Sequence, residues 1–288
     1  MSAGRQTVER RQLGLMLRRL RDQAGKTQQQ AAHAIDRDTA RISQVETAKG
    51  SFSADELATL LDFYEVSEDE RQTVLDLGAQ ARKRQRGRTY TDQLPRSFER
   101  LADLQADAKA IGFYEASIVP GLAQSADYAR AVIATGDGVW WDSSDQELEN
   151  RVAFRLEQQR RVLDASEPKA ISFVVTEIAL DQVVGSTSVA RGQVLHLLQL
   201  GERPNIAVQV LPRTVPNNPL LHGGLITLDF APSAPRIAFA PVPYGPSTYH
   251  DQEADTGPMF RAYERVRELA LDLDSSRTLL IDKLKGME

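Results

Sequence analysis

Between Thr27 and Glu46 the chain has room for two short helices joined by a tight turn. Thr27 and Gln30 stand at capping-box spacing: the Thr hydroxyl accepts from the N3 amide while the Gln side chain reaches back. They fix the start of the first helix. Asp38 is a good N-cap for the second, because its carboxylate accepts from orphan amides, and Asp36-Arg37 are left to make the turn. At about 100° per residue from Asp38, Ile42 and Val45 fall on one side with Glu46 at its margin. Ala40 and Gln44 fall on the opposite side, flanked by Thr39 and Arg41. Such a helix packs on a core with its back and presents small and amide side chains at its front.

That front suits the major groove of double-stranded DNA. In helix-turn-helix docking the N-terminal part of the second helix approaches base edges. Gln pairs bidentately with adenine, and Ala or a Thr methyl touches a thymine methyl. Thr39, Ala40 and Gln44 are therefore base-facing candidates, Arg41 a candidate for guanine or phosphate, and Lys49 completes the DNA-binding set. Gln28 opens the first helix, where the positive helix end favours a phosphate. The plainer alternative is that Thr39 and Gln44 are solvent-facing residues of an ordinary helical domain.

The run Leu17-Arg18-Arg19-Leu20-Arg21-Asp22-Gln23-Ala24-Gly25-Lys26-Thr27-Gln28, then Ile42-Ser43-Gln44-Val45-Glu46 and Lys49-Gly50, resembles the phage-repressor-type (Cro/C1, XRE family) helix-turn-helix domain. The resemblance implies that Gln28 touches backbone phosphate and that Thr39, Ala40 and Gln44 face bases. It also implies that Arg21 and Glu46 form an internal ion pair and are structural residues. Two departures stand out. Asp36-Arg37 occupy the turn where the family has Gly and a small apolar residue, and Asp tolerates left-handed backbone better than most. Ala31 stands where the family carries a larger aliphatic residue.

The chain has 288 residues, 41% of them hydrophobic, which is enough for two ordinary domains. It contains no cysteine, so disulfides, thiolate metal sites and thiol nucleophiles are excluded. No apolar signal run opens it and no stretch has the length of a membrane span, so a cytoplasmic, nucleoid-associated location is expected. The net charge of -5 argues against nucleic acid only if it is evenly spread. Residues 1–50 hold ten Lys and Arg against five Asp and Glu, while residues 89–288 hold 19 against 27. Since the Debye length is about 10 Å at moderate salt, a duplex meets the local field.

Along the chain, residues 1–7 read as disordered, and a helix is expected from Val8 to Ala24 with Leu13, Leu17 and Leu20 inward and Gly25 closing it. After the motif, Ser53-Ala54-Asp55-Glu56 and Ser67-Glu68-Asp69-Glu70 are further capping boxes opening apolar-periodic helices. The basic run Arg82–Arg88 reads as a helix end and linker. The expected division is a five-helix DNA-binding domain over residues 1–85, a linker over 86–95 and an α+β domain over 96–288. In the latter, helices are expected at 97–115, 125–134, 144–164, 188–201, 257–271 and 276–285. Strands are expected at Ala170–Thr176 and Asn205–Leu211, and a hairpin from Leu225–Phe230 and Arg236–Ala240.

The runs Ser117–Ile133, Arg151 through Arg161-Val162-Leu163, Arg203–Pro212 and His222-Gly223-Gly224 are similar to those of a group of actinobacterial antitoxin-like transcriptional regulators. In that group a repressor-type domain precedes a C-terminal domain of uncharacterised biochemistry. The resemblance implies a small acidic partner protein encoded nearby.

Catalysis has little support. Of the four histidines, His33 reads as helix surface, His196 as a packed or marginal helix residue, and no two have metal-ligand spacing. His222-Gly223-Gly224 resembles an esterase oxyanion loop, but no G-x-S-x-G elbow accompanies it. A turn before a strand is the better reading. Gly185-Ser186-Thr187-Ser188 is a loop and helix cap, because no G-K-[ST] follows. Trp140-Trp141 and Pro241–Pro246, with Tyr244 and Tyr249, are candidates for an exposed pocket or partner surface.

The reading is a sequence-specific DNA-binding transcription regulator with no catalytic residues, no cofactor and no metal. A homodimer is expected on an inverted repeat with half-sites roughly 34–36 Å apart. Its C-terminal domain would hold the dimer and respond to a partner protein or ligand. The alternatives are a protein-interaction adaptor using a degenerate helix-turn-helix, or an enzyme with a DNA-binding arm.

Overall fold

The computed structural model describes residues 6–83, 89–94, 96–140, 144–231, 234–242 and 247–287. The chain opens with α1 (Val8–Gln23), α2 (Gln28–Ala34), α3 (Thr39–Glu46), α4 (Ala54–Phe63) and α5 (Glu68–Arg82). β1 (Thr89–Asp92), α6 (Ser97–Asp107), β2 (Ala110–Glu115), α7 (Ala126–Ala134), α8 (Asp145–Leu163) and β3 (Ala170–Thr176) follow. Then come α9 (Glu177–Asp181), α10 (Thr187–Gly201), β4 (Ile206–Leu211), β5 (Leu225–Asp229), β6 (Ile237–Ala240), β7 (Ser247–His250), α11 (Glu253–Leu269) and α12 (Leu273–Lys285). The architecture is an all-α helix-turn-helix region followed by an α+β region.

Side-chain caps set the first four helices. The Oγ atoms of Thr7, Thr27 and Ser53 and the Asp38 carboxylate accept the N3 amides of α1, α2, α4 and α3, and Thr27 and Ser53 complete reciprocal capping boxes. Gly25, at φ +66, ends α1, and Asp36, at φ +52, makes the expected left-handed turn between α2 and α3. The third expected box does not form. Ser67 makes no side-chain cap bond, and the Glu70 side chain pairs with Arg19 of α1 at 3.2 Å instead of turning back.

The chain divides into two compact units. The first comprises the described residues of Met1–Asp107, Phe230–Phe239 and Pro243–Thr256. Its helical core joins Leu13, Met16, Leu17 and Leu20 of α1 to Ala31, Ala32, Ile42 and Val45 of the motif and to Phe52, Leu57, Leu61, Val74 and Leu77. Ala31 is fully buried, so a small residue fits there because the helices close around it. α1 crosses α3 at Gly14, where a Cβ would stand 2.5 Å from the Val45 carbonyl oxygen and 2.8 Å from that of Glu46. Beside the helices, β1 pairs antiparallel with β7, Tyr90 opposite Tyr249. There Arg100 forks onto Asp92 at 2.8 and 2.6 Å, both side chains almost wholly buried.

In the second unit β2, β3 and β4 run parallel, with β5 antiparallel against the other side of β2, in the order β5-β2-β3-β4. Ala110–Glu115 corrects the expectation of one helix over residues 97–115: α6 ends at Asp107. Ile111, Gly112, Phe113 and Tyr114 are consecutive buried residues of a strand flanked on both sides, so no alternation marks it in the sequence. Gly112 admits the Tyr263 ring, which a Cβ would overlap. β1 and β7 are four-residue strands whose pairing joins distant segments, and neither is expected from local pattern. β5 and β6 lie near their expected positions but fall mostly in different units.

Gly14→Ala is expected to lower stability by about 1–3 kcal/mol through overpacking, although Ala is the better helix former. Urea denaturation would check this, and an unchanged or raised midpoint would refute the close α1–α3 approach.

Candidate nucleic-acid interface

The motif helices position their outer face through two buried residues, Ile42 and Val45, at 1% and 0% exposure. Thr39, Ala40 and Gln44 are all exposed on the side away from that core, and Lys49 is exposed just past the end of α3. The turn after α3 is closed by the Lys49 amide donating to the Gln44 carbonyl at 2.7 Å.

Arg21 and Glu46, the pair that the family resemblance points to, are in ion-pair contact. Arg21 Nε and Nη2 donate to the two Glu46 oxygens at 2.6 and 3.1 Å. Arg21 Nη1 also donates to Asp22 at 2.7 Å and to the Lys26 carbonyl at 2.9 Å. The hydrogen bond to Glu46 raises the Arg21 guanidinium above its ordinary range, against the opposing effect of burial. The pair ties α1 to the last residue of α3.

Two candidates are committed within the protein. Gln28 Nε2 donates to Glu46 Oε2 at 2.7 Å, so Gln28 braces the ion pair and leaves its second amide N–H and its oxygen for other partners. Arg41 turns back from the outer face: Nη2 donates to the Ser51 carbonyl at 2.5 Å, and the guanidinium lies 5.5 Å from the Phe52 ring centre. A Cβ at Gly50 would stand 3.0 Å from Arg41 Nη1, so Gly50 makes room for this return.

Sequence reasoning passed over Arg37 and Glu56. Arg37 Nε donates to Glu56 Oε1 at 2.7 Å, joining the turn to α4. Burial pushes the Glu56 carboxyl up, but the Ser53 amide and Arg37 together hold it below its ordinary value. The capping-box spacing identifies Glu56, but nothing local shows that its second oxygen serves Arg37.

Residues 12–74 match the family described as a helix-turn-helix domain. Residues 98–282 match the domain of unknown function DUF5753. The chain belongs to the DUF5753 family. No curated protein matches it. The helix-turn-helix match supports a DNA-binding regulator, and among the described residues no helix is long and apolar enough to cross a membrane.

The DUF5753 region includes most of the other candidates. His33, by contrast, is exposed on α2. His222 is exposed in the loop before β5. His196 is partly buried with Nε2 unbonded, and burial pulls its pKa down. Ser186 caps α10, accepting from the Val189 amide. Trp140 is half exposed, whereas Trp141, Tyr244, and the basic run from Arg84 to Arg88 lie outside the described residues. Tyr249 corrects the expectation of an exposed aromatic: it is fully buried, with its ring 5.9 Å from that of Tyr90 and 5.0 Å from that of Phe239. Among the described residues no group of acidic or histidine side chains is arranged to hold a metal.

Glu115 is a residue that no sequence pattern singles out. It ends β2 opposite Gly224, on whose missing side chain its carboxyl rests, with Pro241 alongside. Burial pushes its pKa from 4.5 to about 7. Proton binding by the folded state then exceeds that of the unfolded state between these values, so stability falls as pH rises from about 4.5 to 7.

Two outcomes are expected. Glu46→Ala should cost up to about 3–5 kcal/mol by leaving the enclosed Arg21 with Asp22 as its remaining carboxylate, whereas joint replacement of Arg21 and Glu46 by apolar residues should cost much less. Chemical denaturation of the three variants would decide, with equal losses contradicting the account. Glu115→Gln should flatten the pH 4.5–7 decline, a change of roughly 3 kcal/mol. Thermal melts across that range with the same slope in both proteins would show that Glu115 is not its source.

Proposed function

We propose that this chain is a sequence-specific DNA-binding transcription regulator of the phage-repressor (Cro/C1, XRE) kind, acting without catalysis. The observation that carries the reading is the division of α3. Thr39, Ala40 and Gln44 are exposed together, while Ile42 and Val45 anchor the same two turns in the core. A helix held in this way can enter a major groove without unfolding any packing.

In this reading Gln44 and the methyl groups of Ala40 and Thr39 read bases. Lys49 and the free amide N–H of Gln28 serve phosphates. Arg41 reaches DNA only by exchanging the Ser51 carbonyl for a phosphate or guanine acceptor. Two copies bind an inverted repeat with half-sites roughly 34–36 Å apart. The DUF5753 region holds the dimer and answers to a small partner protein or ligand, in the manner of antitoxin-like regulators, in the cytoplasm. An effector moves the equilibrium only if it binds the DNA-competent and incompetent arrangements unequally.

The test is selection of preferred duplexes from a random pool by the full-length protein, followed by binding measurements on Gln44→Ala and Gln28→Ala. Gln44→Ala should lose about 1–3 kcal/mol of discrimination at one base pair per half-site. Gln28→Ala should weaken all sequences alike. An unchanged preference in Gln44→Ala would overturn the assignment of the outer face. No enrichment of any duplex at low salt would overturn the regulator reading in favour of a protein-interaction adaptor.

A further inference from the structure

α8 presents a row of polar side chains to the loop between β2 and α7. Gln159 Nε2 donates to the carbonyls of Gly121 and Gln124, both at 2.8 Å. From α10, Gln193 Nε2 donates to the Ala123 carbonyl at 2.7 Å and its oxygen accepts the Ser125 amide at 2.7 Å. Gln124 Nε2 donates to the Val119 carbonyl at 2.8 Å. The loop is thus fixed by amide side chains from two helices.

Arg155 lies in the same row, one turn before Gln159. Its guanidinium lies against Gly121: a Cβ there would overlap Nη1 and come within 2.9 Å of Cζ. Nη1 donates to Gln124 Oε1 at 3.1 Å, a neutral acceptor, and among the described residues no carboxylate is paired with the group. Neighbouring cations differ. Arg130 is forked onto Glu149, and Arg151 donates to Glu147 at 2.7 Å. Burial alone acts on Arg155, and it weakens the charged form. A guanidinium partly withdrawn from water and met, among the described residues, only by an amide oxygen is costly, because buried charges are ordinarily paired. Arg155 is only partly buried, and among the described residues its hydrogen bond runs from Nη1, so Nε and Nη2 are open to an incoming group. They form the planar fork that suits a two-oxygen anion.

We propose that Arg155, seated on Gly121 and oriented by Gln124, binds the carboxylate or phosphate of a small ligand in the DUF5753 region. This assigns effector chemistry to the regulator proposed above, but its evidence is independent of DNA binding. The amide-pinned loop makes the seat rigid before the anion arrives, which limits the ordering cost of binding.

The experiment follows thermal unfolding of the full chain, without DNA, in acetate, inorganic phosphate or methyl phosphate against chloride at equal ionic strength. The same series is run on Arg155→Gln and Arg155→Met. The expected result is a saturable rise in Tm of roughly 2–4 °C for wild type in one class of oxyanion, absent from both variants. Acetate alone would identify a carboxylate ligand, and the phosphates alone a phosphate ester. In chloride, Arg155→Met should melt at or above wild type, because it removes an unneutralised charge. The proposal is overturned if wild type responds to no anion, or if a folded Arg155→Gln responds equally. If the variants fail to fold, the wild-type titration is paired with 15N NMR of the arginine side chains. Movement of the Arg155 Nε signal with anion supports the site; an unmoved signal overturns it.

Discussion

The orientation of α3 rests on one desolvated ion pair. Ile42 and Val45 hold the helix down, but apolar contacts are non-directional and would tolerate a rotation or a slide along the core. The fork from Arg21 to Glu46 does not tolerate either, since two hydrogen bonds to one carboxylate fix both position and angle. Glu46 is the last residue of α3, and Arg21 lies in the last turn of α1, so the pair clamps the end where α3 leaves the core. Gln28 joins the same carboxylate from the start of α2, and the three helices meet at one side chain. Close contact at Gly14 completes the clamp by letting the α3 backbone approach α1.

The helix-turn-helix was legible because its determinants are local. Caps at Thr27 and Asp38, the left-handed turn at Asp36 and the facing of Ile42 and Val45 each depend on residues within a few positions of one another. What escaped the sequence depends on partners far along the chain. At the box expected from Ser67, the Glu70 carboxylate is engaged by Arg19 of α1 instead of the N-cap amide. Tyr249 looked like a surface aromatic in a Pro-rich segment, but it stacks on Tyr90 of a strand 159 positions away, as their paired register shows. β2 was hidden because burial on both faces removes the alternation by which strands are recognised. At the site itself, helical facing places Arg41 beside the outer face, but its return to Ser51 depends on the loop after α3 and is not visible in that local pattern.

In the second unit, glycines create room for large or charged side chains. Gly112 admits the Tyr263 ring, Gly121 the Arg155 guanidinium and Gly224 the Glu115 carboxyl. None of these three glycines has positive φ. Their role is the absence of a Cβ, and that role cannot be read without knowing what approaches. Two of the three admit an ionisable group at least partly withdrawn from water with no opposite charge beside it among the described residues. A domain with only a packing role gains nothing from such groups, since apolar side chains of similar volume would serve better.

Charge at the DNA-facing end illustrates how far a window count can mislead. Ten basic residues against five acidic in residues 1–50 suggest a strongly positive surface. Much of the neutralising charge comes from beyond that window: Asp107 takes Arg11, Glu70, Glu99 and Asp103 surround Arg19, and Glu56 takes Arg37. The potential felt by a duplex is therefore weaker than the count implies, and non-specific attraction is weaker with it. The pairs differ in how easily they can be exchanged. Arg37 is half exposed, although its partner Glu56 is largely enclosed. Arg21 and Glu46 are enclosed and cannot be exchanged without opening the core. The fold thereby separates the enclosed cation that shapes α3 from the more exposed ones, and leaves Thr39, Ala40 and Gln44 as neutral side chains on the exposed face of α3.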